Sequence, residues 1–74
     1  MGSVNVNLLK AKLVERGINV AGLAKMIGLD KATLYRKLQN GGAGLLVREA
    51  KAIVQALHLS SQEATEIFFA HAVA

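Results

Sequence analysis

Apolar residues recur at the three- and four-residue spacing of an α-helix along most of the chain, and no run alternates with the period of two that a β-strand shows. Glycine-containing stretches separate the periodic segments, and the chain of 74 residues has seven glycines and no proline. The pattern predicts an all-α domain of five helices. These helices cover approximately residues 5–16, 20–27, 31–39, 45–57 and 60–70.

Polar residues mark the starts of most of these helices. Asn19 and Asp30 precede the second and third helices, and their side chains are good acceptors for the first amides of a helix. The run Ser60–Glu63 has the pattern of a capping box, with Glu63 at the third helical position. The fourth helix has no such residue, so Gly44 or Leu46 must serve as its cap, and we expect a frayed first turn there.

The length and composition exclude several classes of protein. A chain of 74 residues forms one domain, residues 1–74, which buries about 60% of the surface that its unfolded form exposes. The absence of Cys excludes a disulfide and a thiolate zinc site. The longest apolar run, Ala43–Val47, is far shorter than the roughly 20 residues of a membrane span, so no membrane partner is expected. The first residues do not resemble a signal peptide, which makes the cytoplasm the expected location.

The charge distribution favours a polyanionic partner. The net charge is +4. All nine Lys and Arg residues lie between Lys10 and Lys51, where three acids leave a net charge of +6, and the rest of the chain carries −2. A basic body of this kind is typical of a nucleic-acid-binding protein. The alternative is an ordinary solvated surface that happens to be basic.

Residues 20–39 carry the most informative pattern, a short helix, a turn with glycine and a capped helix. Gly28 tolerates the positive φ that such a turn needs, and Ala24 is small enough for a close helix crossing. Five apolar side chains are expected to point inward and join the two helices. They are Leu23, Ile27, Leu29, Leu34 and Leu38.

The outward face of the third helix offers groups that suit the major groove of DNA. At about 100° per residue, this face carries Lys31, Ala32, Thr33, Tyr35 and Arg36. Arg36 could bind a guanine edge with two hydrogen bonds, and Ala32 could contact a thymine methyl group. Lys25, Lys31 and Lys37 supply charges for phosphates, and the helix N-terminus itself attracts phosphate. The alternative is an amphipathic helix with an ordinary polar face.

Residues Val20–Gln39 resemble the helix-turn-helix of the phage-repressor and Cro-like (Xre) family. The resemblance is carried by Leu23-Ala24, by Gly28-Leu29-Asp30 and by the run from Ala32 to Leu38. Residues 5–12 and 66–70 also look like the two ends of small single-domain proteins of phage genetic switches.

The resemblance implies a compact, five-helix, lambda-repressor-like domain in a bacterial host cell, whose third helix enters the major groove of double-stranded DNA. Carried over to this chain, the base-reading positions fall on Lys31, Ala32, Thr33 and Arg36, and Gln39 joins Lys25 and Lys37 on the DNA backbone. The chain departs from the family at three places. Val20 stands where many relatives have a phosphate-contacting Gln, Lys31 stands where Gln or Ser is common, and Leu46 replaces a Thr cap.

The apolar content suggests a protein partner as well. Ile67-Phe68-Phe69 would cover about 200° of an α-helix, which is wider than the roughly 100° that a core needs. We therefore expect a partner interface, either in a homodimer or with a phage repressor protein. Its predicted residues are Leu45, Leu46, Val47, Phe68 and Phe69. The alternative is that the last helix is wrapped deeply by the rest of the domain.

No residue set supports an enzyme, a cofactor or a small-molecule substrate. The glycines of residues 41–44 lack the Lys-Ser/Thr of a phosphate-binding loop, His58 and His71 have no further metal ligands near them in sequence, and Ser60 and Ser61 look like caps. The sequence therefore predicts a DNA-binding transcriptional regulator of a phage or prophage switch. The alternative is an antirepressor, which would act by binding a partner repressor through an apolar surface or through the reading helix.

Overall fold

Five α-helices joined by short turns make up residues 4–69, the part of the chain that this computed structural model describes. They are Val6–Glu15 (α1), Val20–Ile27 (α2), Lys31–Gln39 (α3), Val47–Leu57 (α4) and Ser61–Ala64 (α5), and a π-helical segment, Thr65–Phe69, continues α5. The predicted all-α fold class is confirmed. Within residues 4–69, no helix is long and apolar enough to cross a bilayer.

Side-chain caps fix the starts of four helices. The Oδ1 atom of Asn5 accepts a hydrogen bond from the amide of Leu8 at the start of α1. Asn19 and Asp30 cap α2 and α3 as predicted, since their side chains accept from amides in the first turns. Ser60 Oγ accepts from the Glu63 amide at 3.1 Å, and the Glu63 carboxylate accepts from the Ser60 amide at 2.9 Å. The predicted capping box is therefore confirmed.

The start of α4 differs from the expectation of a frayed first turn. Leu46 is the cap residue and has no side-chain acceptor, but the Glu49 carboxylate accepts a hydrogen bond from the Leu46 amide at 2.8 Å. The Leu46 carbonyl also accepts from the Ala50 amide at 2.9 Å. An acid at the third helical position thus replaces the missing Thr by binding the cap amide. A carboxylate there also interacts favourably with the positive end of the helix.

One apolar core joins α1 to α4 and the π-helical segment. The inward positions predicted for α2 and α3 are confirmed, with Leu23, Leu34 and Leu38 buried and Ile27 and Leu29 packed against the core. The buried apolar residues are Val4, Leu9, Leu13, Val20, Leu23, Ala24, Leu34, Leu38, Leu45, Ala50, Ile53, Leu57, Leu59, Ile67 and Phe68.

Two residues of the predicted partner interface belong to this core. Leu45 is fully buried and Phe68 is 4% exposed, so neither side chain is offered to another molecule. The expectation that both lie on a partner surface is wrong in this respect. Leu45 precedes α4 rather than lying on its outer face, and its side chain packs in the core. Leu46, Val47 and Phe69 remain exposed.

The fifth helix is shorter than predicted, because α-helical geometry ends at Ala64 and a π-helical turn follows. The Ile67 carbonyl accepts a hydrogen bond from the Asn5 amide at 2.8 Å, which ties this turn to the start of α1. A π-helix has a wider turn than an α-helix, and here the adjacent residues Ile67 and Phe68 are both buried. This accounts for the apolar run that was too wide for an α-helical face. The predicted end of the helix at Ala70 lies outside the described residues.

Residues 40–44 form an ordered turn between α3 and α4. Gly41 and Gly42 both have positive φ, and the Gly42 amide donates to the Lys37 carbonyl at 2.8 Å. The Gly41 carbonyl accepts from the Val4 amide at 3.1 Å. Gly42 is also packed so closely that a Cβ at this position would lie 2.6 Å from the Val4 Cβ. Glycine is therefore required at position 42 for space as well as for backbone conformation.

Candidate nucleic-acid interface

Helices α2 and α3 pack on each other through a three-residue turn. Gly28 adopts the left-handed conformation, with φ of 76°, and the Leu29 amide donates to the Ala24 carbonyl at 2.8 Å. Leu23 and Leu34 are fully buried, one on each helix. The turn and these contacts fix the direction of α3 relative to the rest of the domain, so that its outer face is held on a rigid support.

The outer face of α3 carries the side chains that the sequence predicted for it. Lys31, Ala32, Arg36 and Gln39 are exposed, and Tyr35 is 50% exposed. Thr33 is half-buried at the edge of this face. We call Lys31, Ala32, Thr33, Tyr35 and Arg36 the α3 face. Its two cationic side chains make no ion pair with any residue in the described part of the chain.

Only part of the basic charge is available to a ligand. Three of the nine cations are engaged with other protein groups, namely Lys12, Arg16 and Lys37. The other six are exposed and outside these contacts, and they are Lys10, Lys25, Lys31, Arg36, Arg48 and Lys51. Lys25, which was predicted to contact the DNA backbone, is among the exposed cations.

Lys37 does not fit its predicted role on the DNA backbone. Its Nζ atom lies 2.8 Å from one carboxylate oxygen of Glu49 and 3.0 Å from the other, and its side chain is only 19% exposed. Burial would raise the pKa of Glu49, but the Lys37 ammonium and the Leu46 amide outweigh it, so the net pKa is lowered. Glu49 is thus ionised at neutral pH, and its ion pair with Lys37 holds that side chain against α4.

The N-terminus of α3 is also less available to phosphate than the sequence suggested. One carboxylate oxygen of Asp30 accepts from the Ala32 amide at 3.0 Å and from the Thr33 amide at 3.4 Å. The amides that would bind a phosphate are thus already bound to an anion of the protein. Phosphate contacts by this helix would come from its side chains instead.

Two further cations, Arg16 and Lys12, make contacts within the domain that were not predicted from the sequence. Arg16 Nε donates to the Leu57 carbonyl at 2.6 Å and so caps the end of α4. Lys12 Nζ lies 2.8 Å from the Glu63 carboxylate and joins α1 to α5. The ammonium of Lys12 and the Ser60 amide lower the pKa of Glu63 to about 2. The partners of Arg16 and Lys12 lie in distant helices, where periodicity carries no signal for them.

An apolar groove lies between α4 and the π-helical segment, and we call it the α4 groove. Its volume is about 290 Å³. Phe69, which is 40% exposed, forms part of one wall, and Ala50 forms part of the other. Val47 lies one helical turn before Ala50 on the same face of α4. The groove is lined by Ala50, Lys51, Val54, Gln55, Ala64 and Phe69. Of the predicted interface residues, Phe69 therefore lines this groove and Val47 is exposed beside it, whereas Leu46 is exposed but is not part of its lining.

A second groove runs beside the α3 face. Tyr35 forms one side, and Val14, the most exposed large apolar residue in the described part of the chain, forms another. The full lining is Lys10, Leu13, Val14, Ile18, Asn19, Val20 and Tyr35. Val20 is buried in its wall. The first position of α2 thus contributes to packing and offers no polar group to a ligand.

The described residues contain no cluster of three or more His, Cys, Asp or Glu side chains that could hold a metal ion. His58 ends α4 in the left-handed conformation, and His71 lies outside the described residues. Comparison of the chain with protein-family models, with curated proteins and with solved structures gave no match.

Proposed function

We propose that this protein is a DNA-binding transcriptional regulator of a phage or prophage genetic switch, and that it reads the major groove with α3. The observation that carries the proposal is the α3 face. It presents an Arg and a Lys that make no ion pair in the described part of the chain, together with a methyl group and two hydroxyl groups, on a helix that is fixed by a turn and a core. These are the groups that bind base edges in the major groove.

The surrounding charge supports a polyanionic ligand. Lys25 on α2 is exposed and makes no ion pair with any of residues 4–69, and the same holds for Lys31 and Arg36 on α3. Cations around a base-reading face position a protein on the phosphate backbone and supply the sequence-independent part of its affinity. The phage context rests on the resemblance of residues 20–39 and of both ends of the chain to small switch regulators.

The first test is binding to a fluorescent duplex of random sequence at about 50 and 200 mM salt, where phosphate-driven binding weakens steeply. We expect binding at low salt and a large loss at high salt. An operator can then be selected from a duplex library. An absence of binding at low salt would contradict the proposal.

Arg36→Ala tests the role of the α3 face on the selected operator. We expect a loss of about 1–3 kcal/mol in binding free energy and a relaxed preference at one base pair, since Arg binds a guanine edge through two donors. Lys51→Ala is the matched control, because it removes the same unit of charge from the α4 groove. Equal losses for both variants would mean that Arg36 acts through charge alone.

A second candidate function is that of an antirepressor, which binds a partner repressor protein. The α4 groove favours it, because Val47 and Phe69 expose apolar surface beside it. Val47→Ser and Phe69→Ser should weaken association with such a repressor, or with a second copy of this chain, in sedimentation experiments. Met26→Ser is the control, since Met26 is 52% exposed and lines neither groove. Unchanged association in both groove variants would contradict the use of this surface.

A further inference from the structure

The Lys37–Glu49 ion pair lies directly beside the α3 face. Lys37 follows Arg36 in the chain and stands one helical turn after Thr33, so its stem starts at the edge of the surface proposed to meet DNA. A lysine there would ordinarily contribute a phosphate contact. The ammonium group is instead directed toward α4, where both carboxylate oxygens of Glu49 lie within 3.0 Å of it.

Several contacts hold this arrangement in place. Glu49 is 8% exposed, and its carboxylate also accepts from the Leu46 amide at 2.8 Å. The Lys37 stem passes close to Gly44, where a Cβ would lie 3.4 Å from the Lys37 Cγ. If Lys37 turned toward a phosphate, Glu49 would remain as a buried carboxylate with the Leu46 amide as its only donor among the described residues. Leaving a buried charge without its partner is strongly unfavourable, so the pair persists when an anion approaches.

We infer that Glu49 lowers the sequence-independent part of DNA binding by holding the Lys37 ammonium in an internal ion pair beside the α3 face. Glu49 touches no base or phosphate in this scheme, and it acts as a positioning residue for Lys37. Its effect raises the share of affinity that comes from base contacts, because phosphate contacts carry no sequence information. The inference rests on the proposed DNA-binding function.

Glu49→Gln tests the inference. A Gln oxygen can still accept from the Leu46 amide, so the cap of α4 is kept while the charge that holds Lys37 is lost. Each phosphate contact adds about 0.9 to the slope of log affinity against log salt. We therefore expect a slope steeper by about 0.9, so that the affinity for a random duplex falls about 3.5-fold more between 50 and 200 mM salt than in the parent.

Two controls separate the pair from other effects of charge. In Glu49→Gln/Lys37→Gln, neither charge remains, and the slope should return to that of the parent. Glu66→Gln removes one acid that is exposed on the π-helical segment and makes no ion pair in the described part of the chain. It should leave the slope unchanged, because it releases no lysine on α3.

A second measurement does not depend on a variant that folds. The side-chain ammonium signals of a ¹⁵N-labelled parent protein report which lysines meet a duplex. We expect Lys31 to respond to the random duplex and Lys37 to stay unchanged. A Lys37 signal that shifts in the parent, or a Glu49→Gln slope equal to that of the parent, would overturn the inference and leave the proposed function intact. An absence of duplex binding by both the parent and Glu49→Gln would overturn both.

Discussion

At the scale of single residues, neighbours in the sequence have very different environments. Leu45 and Leu46 are adjacent leucines before α4, yet the first is fully buried and the second is 42% exposed. Both were predicted to lie on a partner surface, because every residue from Leu45 to Val47 is apolar and the pattern does not show which side chains point inward. Which of the two side chains is buried depends on the direction of the chain between Gly44 and Val47. That direction depends on packing against distant helices.

Leu45→Ala and Leu46→Ala should therefore differ strongly in stability. Truncation of a buried leucine costs about 2–5 kcal/mol because it removes apolar contacts and leaves a cavity. Truncation of the exposed neighbour should change the free energy of unfolding by about 0.5 kcal/mol or less. Denaturant unfolding of the two variants measures the difference. Similar losses would mean that Leu46 is buried as deeply as Leu45.

Gly41 and Gly42 form a second matched pair. Both have positive φ, so an alanine at either site meets backbone strain of roughly 1–2 kcal/mol. A Cβ at Gly41 has open space, whereas one at Gly42 meets Val4. We expect Gly42→Ala to lower the free energy of unfolding by about 1–3 kcal/mol more than Gly41→Ala, as overpacking does. Urea unfolding at neutral pH measures both variants, and equal effects would contradict the close approach of Val4.

At the scale of helices, the sequence predicted most starts and ends because caps are local. Asn19, Asp30 and Ser60 each bind amides within three residues, so the signal and its effect lie in the same short segment. The π-helical segment was not predicted. Its geometry is tied to the bond between the Asn5 amide and the Ile67 carbonyl, and a contact between the two ends of the described chain has no trace in local periodicity.

The ion pair between α1 and α5 gives stability a dependence on pH. The pKa of Glu63 is about 2 in the folded protein and 4.5 in its ordinary state, so its contribution is complete above pH 4.5 and is lost as the pH falls toward 2. We expect the urea midpoint to fall over this range. Glu49, whose pKa is also lowered, adds to the fall.

Lys12→Gln tests how much of this loss of stability at low pH comes from Glu63. Lys12 is the first cause of the lowered pKa, so its loss should bring that pKa closer to 4.5 and make the fall in the urea midpoint smaller. The Lys37–Glu49 pair is untouched in this variant and continues to contribute. An equal fall in the parent and in Lys12→Gln would mean that Lys12 contributes little to the lowered pKa of Glu63.

At the scale of the whole molecule, the net charge overstates the number of cationic side chains that are available to a ligand. Lys12, Arg16 and Lys37 are engaged in contacts within the domain. The α3 face was predictable, because helical periodicity alone separates its outward residues from Leu34 and Leu38. The ion pair of Lys37 was not predictable, because Glu49 lies twelve residues away on another helix and only the packing of α4 brings the two side chains together.

The bond between the Asn5 amide and the Ile67 carbonyl has a consequence for the order of folding. Closing a long loop costs more conformational entropy than closing a short one, so contacts between α2 and α3 should form before the ends of the described chain meet. In native-state hydrogen exchange, we expect a lower opening free energy for the Asn5 amide than for the amides of Leu23 and Leu34. The proposed reading helix would then stay folded while the ends of the domain open and close.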